Sequence, residues 1–512
     1  MIRFLSLLLL LALPLQSPAR PLPGAAAVAS AHPLATAAGI EILRRGGNAF
    51  DAAVAVTATL AVVEPYSSGL GGGGFWLLHR ASDGHQVMLD GRETAPAAAR
   101  RDLYLDERGE VIPGLSIDGP LAAGIPGVPA ALAYLAEGWG RMPLHRTLAP
   151  AIRAAREGFE VDEHYRRMAQ FRLEALRRSP EAASQFLVDG GPPPPGHRIH
   201  QPELAETLER IARAGRSGFY EGEVAQRMVA AVRRAGGIWS LEDLREYQVV
   251  ERRPVTGAYR GMRIVSAAPP SSGGVALVEA LNILSGYRLE ELEPASRIQR
   301  VTEAMRRAYR DRALWLGDPD YVEVPVERLT HPWYADGLRI SILPDRATPS
   351  DRLAPVDASP VTGNHTTHFS ILDRDGNRVA ATLSINYPFG SCFVPAGTGV
   401  LLNDEMDDFS AKPGVPNVYG LVGGEANAIA PGKRPLSSMS PTFVERPDGG
   451  LAILGTPGGS RIISMVLLAI LEYAEGAGAE RMVSLPRYHH QYLPDALQLE
   501  PGAVSAETAR RL

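Results

Sequence analysis

The chain is poor in cysteine and lysine and carries no excess of positive charge. Its 512 residues include one cysteine, Cys392, and the only lysines beside the many arginines are Lys412 and Lys433. A lone cysteine excludes an intrachain disulfide and any zinc or iron–sulfur site that needs several thiolates. The formal net charge of -5 argues against nucleic acid as a partner, because no basic excess exists to neutralise a phosphate backbone. A mechanism that depends on a lysine elsewhere in the chain is also disfavoured.

Long apolar runs are scarce as well. One stands at the N-terminus, where residues 4–13 follow Arg3, end at Pro14 and precede the small residues of 17–19. This pattern predicts a secretory signal peptide over residues 1–19, with an uncleaved membrane anchor as the alternative. No later stretch reaches the roughly 18 apolar residues that a membrane helix needs. We therefore expect a periplasmic or secreted protein with no membrane contact once the signal is removed.

The residue pattern indicates the fold class. Hydrophobic residues make up 45% of the sequence, enough for a large core. Helices are predicted over 33–45 and 49–63, the second apolar on nearly every face and therefore buried between layers. A hairpin is predicted over 366–386, and a strand at 451–455 leads into a helix from Ser460. Buried helices mixed with antiparallel hairpins indicate an α+β sandwich with helices on both faces of stacked sheets.

Several common catalytic and metal-binding motifs are missing. The sequence has no H-E-x-x-H, no Walker P-loop, no G-x-S-x-G and no S-x-x-K motif. The glycine run 71–74 lacks the Lys-Ser/Thr that a phosphate loop requires. Asp407 and Asp408 are adjacent, but such a pair alone is more often a solvated loop than a metal site. We expect neither a metal nor a cofactor.

Two local features could carry chemistry. Gly458 and Gly459 stand at a predicted strand-to-helix junction, where free backbone N–H groups favour an anion. They predict an oxyanion hole, with close helix packing as the alternative. Thr366 begins the predicted hairpin, and a cut before it would place a new α-amine beside its hydroxyl. That amine has a pKa of about 7.7–8.0 and could take the hydroxyl proton near neutral pH. An ordinary strand threonine is the alternative.

These features belong to a longer series of ordered motifs. The series comprises residues 46–55, 69–75, 366–370, 402–417, 435–442 and 457–463. In these stretches the sequence closely resembles the γ-glutamyltranspeptidases of the N-terminal-nucleophile hydrolase superfamily. The resemblance runs from about Val28 to the C-terminus, and so many motifs in one order do not arise by chance.

The resemblance implies a fold and a path of maturation. It implies a four-layer αββα sandwich, made as one precursor that cuts itself between His365 and Thr366. The products would be a large subunit, residues 20–365, and a small subunit, residues 366–512. The two would stay together as a heterodimer that forms one composite domain, because strands of both build one core.

The same motifs imply the catalytic residues. Thr366 would be the nucleophile for self-cleavage and for turnover, and Thr367 would support its new amine. Gly458 and Gly459 would supply the oxyanion N–H groups. Ser384 stands where the family usually has threonine and would contact the amine. Serine keeps the hydroxyl but loses the methyl group that restricts its rotamer, so we expect reduced or unchanged activity.

The motifs also imply a pocket for the two charges of a γ-glutamyl group. A guanidinium and two hydroxyls would bind the α-carboxylate, and two acids with one amide would hold the α-ammonium. The carboxylate would be bound by Arg92, Ser437 and Ser438, and the ammonium would be held by Glu405, Asp408 and Asn386. A lid over residues 413–424 would close through Tyr419 above Asn386 and keep bulk water from the acyl-enzyme.

The implied reaction is a ping-pong transfer. The enzyme would cleave the γ-glutamyl amide of glutathione through a γ-glutamyl-threonine ester and pass the group to water, an amino acid or a peptide. One alternative is a glutaryl-7-aminocephalosporanic acid-type acylase, which predicts a weaker ammonium site. Another is an inactive, truncated homologue that only binds γ-glutamyl compounds. Its basis is the end of the chain at Leu512, since family members continue further and an open sheet edge could prevent self-cleavage.

Overall fold

The computed structural model describes residues 22–353 and 366–512. The predicted signal peptide, residues 1–19, and His365 of the predicted cleavage site lie outside the described residues. The strands in the described part are β1 (Ala27–Ser30), β2 (Gly73–Arg80), β3 (His85–Gly91), β4 (Phe159–Glu160), β5 (Arg198–Ile199), β6 (Val250–Arg252), β7 (Val255–Tyr259), β8 (Met262–Ser266), β9 (Thr367–Leu372), β10 (Arg378–Ser384), β11 (Thr442–Glu445), β12 (Leu451–Leu454), β13 (Tyr488–His489) and β14 (Gln498–Leu499).

The α-helices of the same residues are α1 (Pro33–Arg44), α2 (Ala49–Val63), α3 (Val128–Gly138), α4 (Leu144–Thr147), α5 (Ala149–Glu157), α6 (Glu163–Phe171), α7 (Leu173–Arg178), α8 (Pro180–Phe186), α9 (Pro202–Ala214), α10 (Ser217–Tyr220), α11 (Gly222–Arg234), α12 (Leu241–Glu246), α13 (Gly273–Leu284), α14 (Pro294–Trp315), α15 (Val326–Leu329), α16 (Pro332–Ile340), α17 (Ile462–Ala474), α18 (Ala479–Ser484) and α19 (Ala506–Arg511).

Two antiparallel sheets form the centre of the fold. The larger has the strand order β1-β9-β10-β2-β3-β6, and the smaller has the order β12-β11-β8-β7. In the larger sheet, Ala381 of β10 lies opposite both Phe369 of β9 and Trp76 of β2, which defines the register at the centre. Two separate two-stranded ladders join β4 to β5 and β13 to β14.

Side-chain alternation along β2 shows how the layers stack. Trp76 and Leu78 belong to one buried apolar cluster with helices α1 and α2. Phe75 and Leu77 belong to a second cluster with the smaller sheet and helices α13, α14 and α17. Because successive strand side chains point to opposite faces, helices cover one face of the larger sheet and the smaller sheet covers the other. The predicted α+β class and αββα sandwich are confirmed.

Helix α2 is the buried helix that its composition predicts. All 15 of its residues are buried. The Asn48 side chain accepts from the N–H groups of Phe50 and Asp51, and the Asp51 carboxylate accepts from the Asn48 N–H. This capping box satisfies N–H groups that the first helical turn leaves unpaired. The helix packs against β9 and β10 and so supports the hairpin that begins at Thr366.

That hairpin lies in the middle of the larger sheet. In its turn, Asp373 accepts from the backbone N–H of Asn377 at 2.9 Å and from that of Ala49, at the start of α2, also at 2.9 Å. Strand β1 flanks β9, and β2 flanks β10. The predicted hairpin is therefore confirmed, and Thr366 precedes a central strand.

None of the helices within residues 22–353 and 366–512 has both the length and the apolar content that a bilayer crossing takes. In the same residues, no three or more His, Cys, Asp or Glu side chains are grouped so that they could hold a metal ion. Cys392 is buried, and Arg172 donates to its sulfur at 3.3 Å. Burial raises the pKa of this thiol to about 11, so Cys392 is a packed side chain rather than a reactive one.

Candidate active site

One cavity brings together residues from distant parts of the sequence. It has about 280 Å³ of empty volume, part of which is open to solvent. Its lining residues are Arg92, Thr366, Ser384, Asn386, Glu405, Asp408, Tyr419, Leu421, Ser437, Ser438, Met439, Gly459 and Ile462. Of the predicted site residues that the structure describes, only Thr367 and Gly458 are absent from this lining. The fold therefore assembles most of the predicted site around one space.

The two threonines at the start of the hairpin have different surroundings. Thr366 is buried and lines the cavity directly before β9. The Thr367 hydroxyl instead donates to Oε2 of Glu64 at 2.7 Å, where α2 ends. Burial raises the pKa of Glu64 to about 7, although this hydrogen bond opposes the shift. Thr367 thus links the central strand to a buried carboxyl group that no sequence motif indicated.

Strand β10 ends at the cavity in a tight turn. The Ser384 hydroxyl oxygen accepts from the N–H of Asn386 at 2.8 Å, and the Asn386 amide donates to the carbonyl of Asp404 at 3.0 Å. Asn386 has a φ of 70°, a left-handed conformation that asparagine tolerates better than most residues. The turn holds Ser384 and Asn386 at the cavity wall and ties β10 to the segment that carries Glu405.

Arg92 follows β3 and is completely buried. Its terminal nitrogens donate to Glu405 and Asp408, and its Nε donates to the carbonyl of Pro435 at 3.1 Å. Burial disfavours the charged guanidinium, but the negative charges of Glu405 and Asp408 raise the pKa of Arg92 above its usual value. The site therefore holds a fixed, planar cation of the kind that binds a carboxylate through paired hydrogen bonds.

Glu405 and Asp408 lie on one short 3₁₀ turn, Glu405–Asp408. In such a turn, side chains at positions i and i+3 fall on the same side, so both acids reach the same part of the cavity. Burial raises the pKa of Glu405 to about 7, and the Arg92 cation opposes this shift. A second cation, such as an ammonium group beside the two acids, would further favour their ionised forms.

The hydroxyls of Ser437 and Ser438 are arranged to donate. Ser437 Oγ accepts from the N–H of Met439 at 3.1 Å, and Ser438 Oγ accepts from Nη2 of Arg312 at 3.2 Å. Backbone N–H and guanidinium groups can only donate, so each serine keeps its own hydrogen for another acceptor. Together with Arg92, these serines form a group of donors that suits an anion such as a carboxylate.

Gly458 and Gly459 form the turn that leads from β12 towards α17. Both have positive φ, 141° and 54°, in the left-handed region that favours glycine. A Cβ on Gly459 would lie 2.6 Å from the ring of Tyr419, and one on Gly458 would lie 2.3 Å from Cε of Met465. The backbone conformation favours glycine at both positions, and the Tyr419 ring leaves no room for a side chain at Gly459, so packing accounts for part of this motif.

Tyr419 holds the predicted lid loop against the site. Its hydroxyl donates to the carbonyl of Asn386 at 2.6 Å. On one side, the Asn417 amide donates to Oδ1 of Asp408 at 3.0 Å, and its oxygen accepts from the Tyr419 N–H at 3.0 Å. On the other side, the Gln491 amide donates to the Tyr419 carbonyl at 3.3 Å. Hydrogen bonds thus fix this loop to the acidic turn, to β10 and to the C-terminal segment.

Two charged residues near the site were not indicated by any motif. Glu64 directly follows the mostly apolar helix α2, and Arg312 is one arginine among many. Arg312 lies on the buried stripe of α14 with Val301, Met305 and Ala308. A charged residue at helical spacing within an apolar stripe was the pattern that could have indicated it.

Known proteins match this chain over nearly its whole length. The family model described as Gamma-glutamyltranspeptidase matches residues 35–512. A glutathione hydrolase proenzyme from Pseudomonas sp. (strain A14) is 44% identical over 493 residues, which cover 95% of this chain and 85% of that protein.

Two solved structures share the fold. A cephalosporin acylase from Bacillus halodurans has a TM-score of 0.80 at 28% identity and covers 98% of this chain and 91% of its own. A γ-glutamyltranspeptidase from Helicobacter pylori has a TM-score of 0.63 at 38% identity and covers 67% of this chain and 97% of its own. The family match over residues 35–512 and the 44% identity decide the assignment. This chain belongs to the γ-glutamyltranspeptidase family.

Proposed function

We propose that this chain is the precursor of a γ-glutamyltransferase and glutathione hydrolase that cuts itself before Thr366 and then uses that threonine as its nucleophile. The observation that carries the proposal is that Thr366, Arg92, Glu405 and Asp408 line one cavity. A nucleophile beside one fixed cation and two acids suits an acyl group with both a carboxylate and an ammonium nearby. A γ-glutamyl amide has this chemistry, and glutathione contains one.

Thr366 supplies both the nucleophile and the base. After the cut, its α-amine takes the proton from its own hydroxyl as Oγ adds to the γ-carbonyl carbon. The N–H groups of Gly458 and Gly459 stabilise the tetrahedral oxyanion, and one such donor is typically worth about 3–4 kcal/mol of barrier. The C–N bond then breaks, and the leaving amine takes the proton that the α-amine received. Thr367 and Ser384 hold the new α-amine in place.

The γ-glutamyl group is bound through its two charges. Its α-carboxylate pairs with Arg92 and accepts from the hydroxyls of Ser437 and Ser438. Its α-ammonium lies between the two acids that pair with Arg92 in this structure, with Asn386 beside them. Each buried charge of the site then faces a partner of opposite sign. Tyr419 closes over the bound group and limits access of water, so the ester can also pass to an amino acid or a peptide.

The proposed cut leaves two pieces, residues 20–365 and 366–512. Strands β9 and β10 of the second piece lie between β1 and β2 of the first, and β11 of the second pairs with β8 of the first. These ladders do not depend on the peptide bond that is cut, so the pieces remain one molecule. The solved Helicobacter pylori chain supports this proposal. Almost all of that chain, 97%, aligns with only 67% of this chain, as a single processed piece would. The signal-like N-terminus supports export to the periplasm or the medium.

Release rates from two anilides test this function against its alternative. γ-Glutamyl anilide and glutaryl anilide share the carboxylate and differ only in the α-ammonium group. We expect faster release from γ-glutamyl anilide, because Glu405 and Asp408 attract the ammonium. Faster release from glutaryl anilide would instead favour the alternative, a glutaryl-7-aminocephalosporanic acid-type acylase. Thr366→Ala is the control variant and should release aniline from neither compound.

A further inference from the structure

Arg312 is a buried arginine without a carboxylate partner among the residues that the structure describes. It is 5% exposed, and no carboxylate oxygen of the described residues lies within 4.0 Å of its guanidinium nitrogens. The other buried arginines each have such a partner, and they are Arg92, Arg172, Arg306, Arg307, Arg378 and Arg434. Burying a cation that no carboxylate contacts costs free energy of folding, which indicates a functional role for Arg312.

The hydrogen bonds of Arg312 connect it to the cavity wall. Its Nε donates to Ser272 Oγ at 3.0 Å, and its Nη2 donates to Ser438 Oγ at 3.2 Å. The Ser272 hydroxyl in turn donates to the carbonyl of Ser437 at 2.6 Å. One guanidinium therefore orients Ser438 directly and holds the backbone of Ser437 through Ser272.

We propose that Arg312 is a positioning residue that selects substrates with a free α-carboxylate. It fixes the Ser438 hydroxyl as a donor and places a second positive charge behind the carboxylate that Arg92 binds. This inference rests on the function proposed above.

Buried Glu93 also lies 3.9 Å from Arg92, but burial raises its pKa well above the usual value, so it is counted as neutral. With the other four groups ionised, the two cations, Arg92 and Arg312, face the two acids, Glu405 and Asp408, so the charges are balanced for a ligand end that carries one charge of each sign. Without Arg312 the same site is net negative and favours a plain cation.

The inference names a class of donor that the enzyme should reject. A 4-aminobutanoyl amide is a γ-glutamyl amide in which hydrogen replaces the α-carboxylate. It keeps the ammonium that Glu405 and Asp408 bind, but it leaves the hydroxyls of Ser437 and Ser438 without their acceptor and Arg92 without the carboxylate that it would bind. Buried donors that lose their acceptor reduce affinity strongly, so native enzyme should prefer the γ-glutamyl compound by a large factor.

A pair of substrates tests this role against a merely structural one. The measurement is kcat/KM for γ-glutamyl anilide divided by that for 4-aminobutanoyl anilide. Arg312→Met removes the charge and both hydrogen bonds, and it should lower this ratio about 10- to 100-fold, mainly through a higher KM for the γ-glutamyl compound. The value of kcat/KM for 4-aminobutanoyl anilide should not fall, because the site without Arg312 still favours a plain cation. Equal loss with both substrates, or no change in the ratio, would overturn the proposal.

A second variant keeps the test decisive where Arg312→Met fails to fold. Arg312→Lys keeps the charge but lacks the planar fork that reaches Ser272 and Ser438 together, so its ratio should lie between those of native enzyme and Arg312→Met. Arg300→Met on the same helix is the matched control and should leave the ratio unchanged. An Arg312→Lys ratio equal to the native one would count against the proposal.

Binding measurements separate this inference from the proposed function. L-Glutamate and 4-aminobutanoate differ in the same carboxylate, and calorimetry measures their dissociation constants without turnover. Arg312→Met should weaken L-glutamate binding and should not weaken 4-aminobutanoate binding. Native protein that binds L-glutamate but releases no aniline would overturn the function alone. Equal effects on both ligands would overturn the role of Arg312 alone.

Discussion

The phenol of Tyr419 donates to the backbone carbonyl of Asn386 at 2.6 Å, and both residues line the active-site cavity. This hydrogen bond joins the middle of a long loop to the end of a central strand. The same ring lies against Gly459, the proposed oxyanion residue. This hydrogen bond is therefore one of those that hold the proposed lid closed over the acyl group.

Tyr419→Phe should shift the enzyme from transfer towards hydrolysis. The substitution keeps the ring and removes a hydrogen bond worth about 0.5–1.5 kcal/mol, so the lid opens more often to water. We expect the ratio of transfer to hydrolysis, measured with a dipeptide acceptor, to fall about 2- to 10-fold. Tyr321→Phe is the control, since its hydroxyl donates to the carbonyl of Pro431 at 2.8 Å on the protein surface. An unchanged ratio in Tyr419→Phe would contradict the proposal that this loop acts as a lid.

Gln491 should affect the same ratio of transfer to hydrolysis, because it holds the lid loop from its other side. Its amide donates to the carbonyls of Tyr419 and Gly420 at 3.3 and 3.1 Å, and its oxygen faces Nε2 of His489 at 2.8 Å. We expect Gln491→Met to lower the transfer-to-hydrolysis ratio as Tyr419→Phe does. The double variant should show less than the sum of the two effects, because both loosen one loop.

The control for Gln491 is another glutamine with the same bonding pattern. Gln299 also donates from its amide to two backbone carbonyls, those of Leu343 and Arg346. Gln299→Met should therefore leave the ratio at the native value. A fully additive double variant of Gln491 and Tyr419 would show that the two residues act separately.

The sequence predicted the elements whose formation depends on local pattern. Helix α2 spans Ala49–Val63, as its apolar run predicts. The hairpin around Asp373 also follows local turn chemistry. Four of the ordered family motifs, 366–370, 402–417, 435–442 and 457–463, contain predicted site residues, and most of those residues line the cavity.

Residues that act across long separations could not be predicted in this way. Arg312 contacts Ser438 only because α14 packs beside the loop that precedes β11, and no local pattern fixes that contact. Gln491 reaches the lid loop from the C-terminal segment, and Glu64, at the end of α2, meets Thr367 at the start of β9. Their roles depend on tertiary packing, which periodicity and spacing do not describe.

Binding of the ammonium group should strengthen as pH rises through neutrality. Burial raises the pKa of Glu405 from 4.5 to about 7, so its carboxylate becomes charged between about pH 6 and 8. The dissociation constant of L-glutamate, measured as a competitive inhibitor, should therefore fall over this range. Glu405→Gln should bind more weakly at pH 8 and lose most of this pH dependence. A variant with the native pH profile would exclude Glu405 as the titrating group.

Glu445 should contribute strongly to the stability of the sandwich. It is buried on β11, where it accepts from Arg378 of the larger sheet at 2.7 Å and from Arg263 of the smaller sheet at 3.0 Å. Glu445→Ala removes this carboxylate from the buried guanidinium of Arg378, and we expect a loss of about 3–5 kcal/mol in the free energy of unfolding. Denaturant unfolding should show almost no loss for the control Glu291→Ala, whose partner Arg288 is exposed.

Self-cleavage before Thr366 is the central claim, and N-terminal sequencing of the purified protein tests it most directly. A denaturing gel should show two bands, and the smaller should begin Thr-Thr-His-Phe-Ser, residues 366–370. The Thr366→Ala variant should remain one uncut chain without turnover. A smaller band that begins elsewhere, or an uncut native chain that hydrolyses γ-glutamyl anilide, would contradict the account.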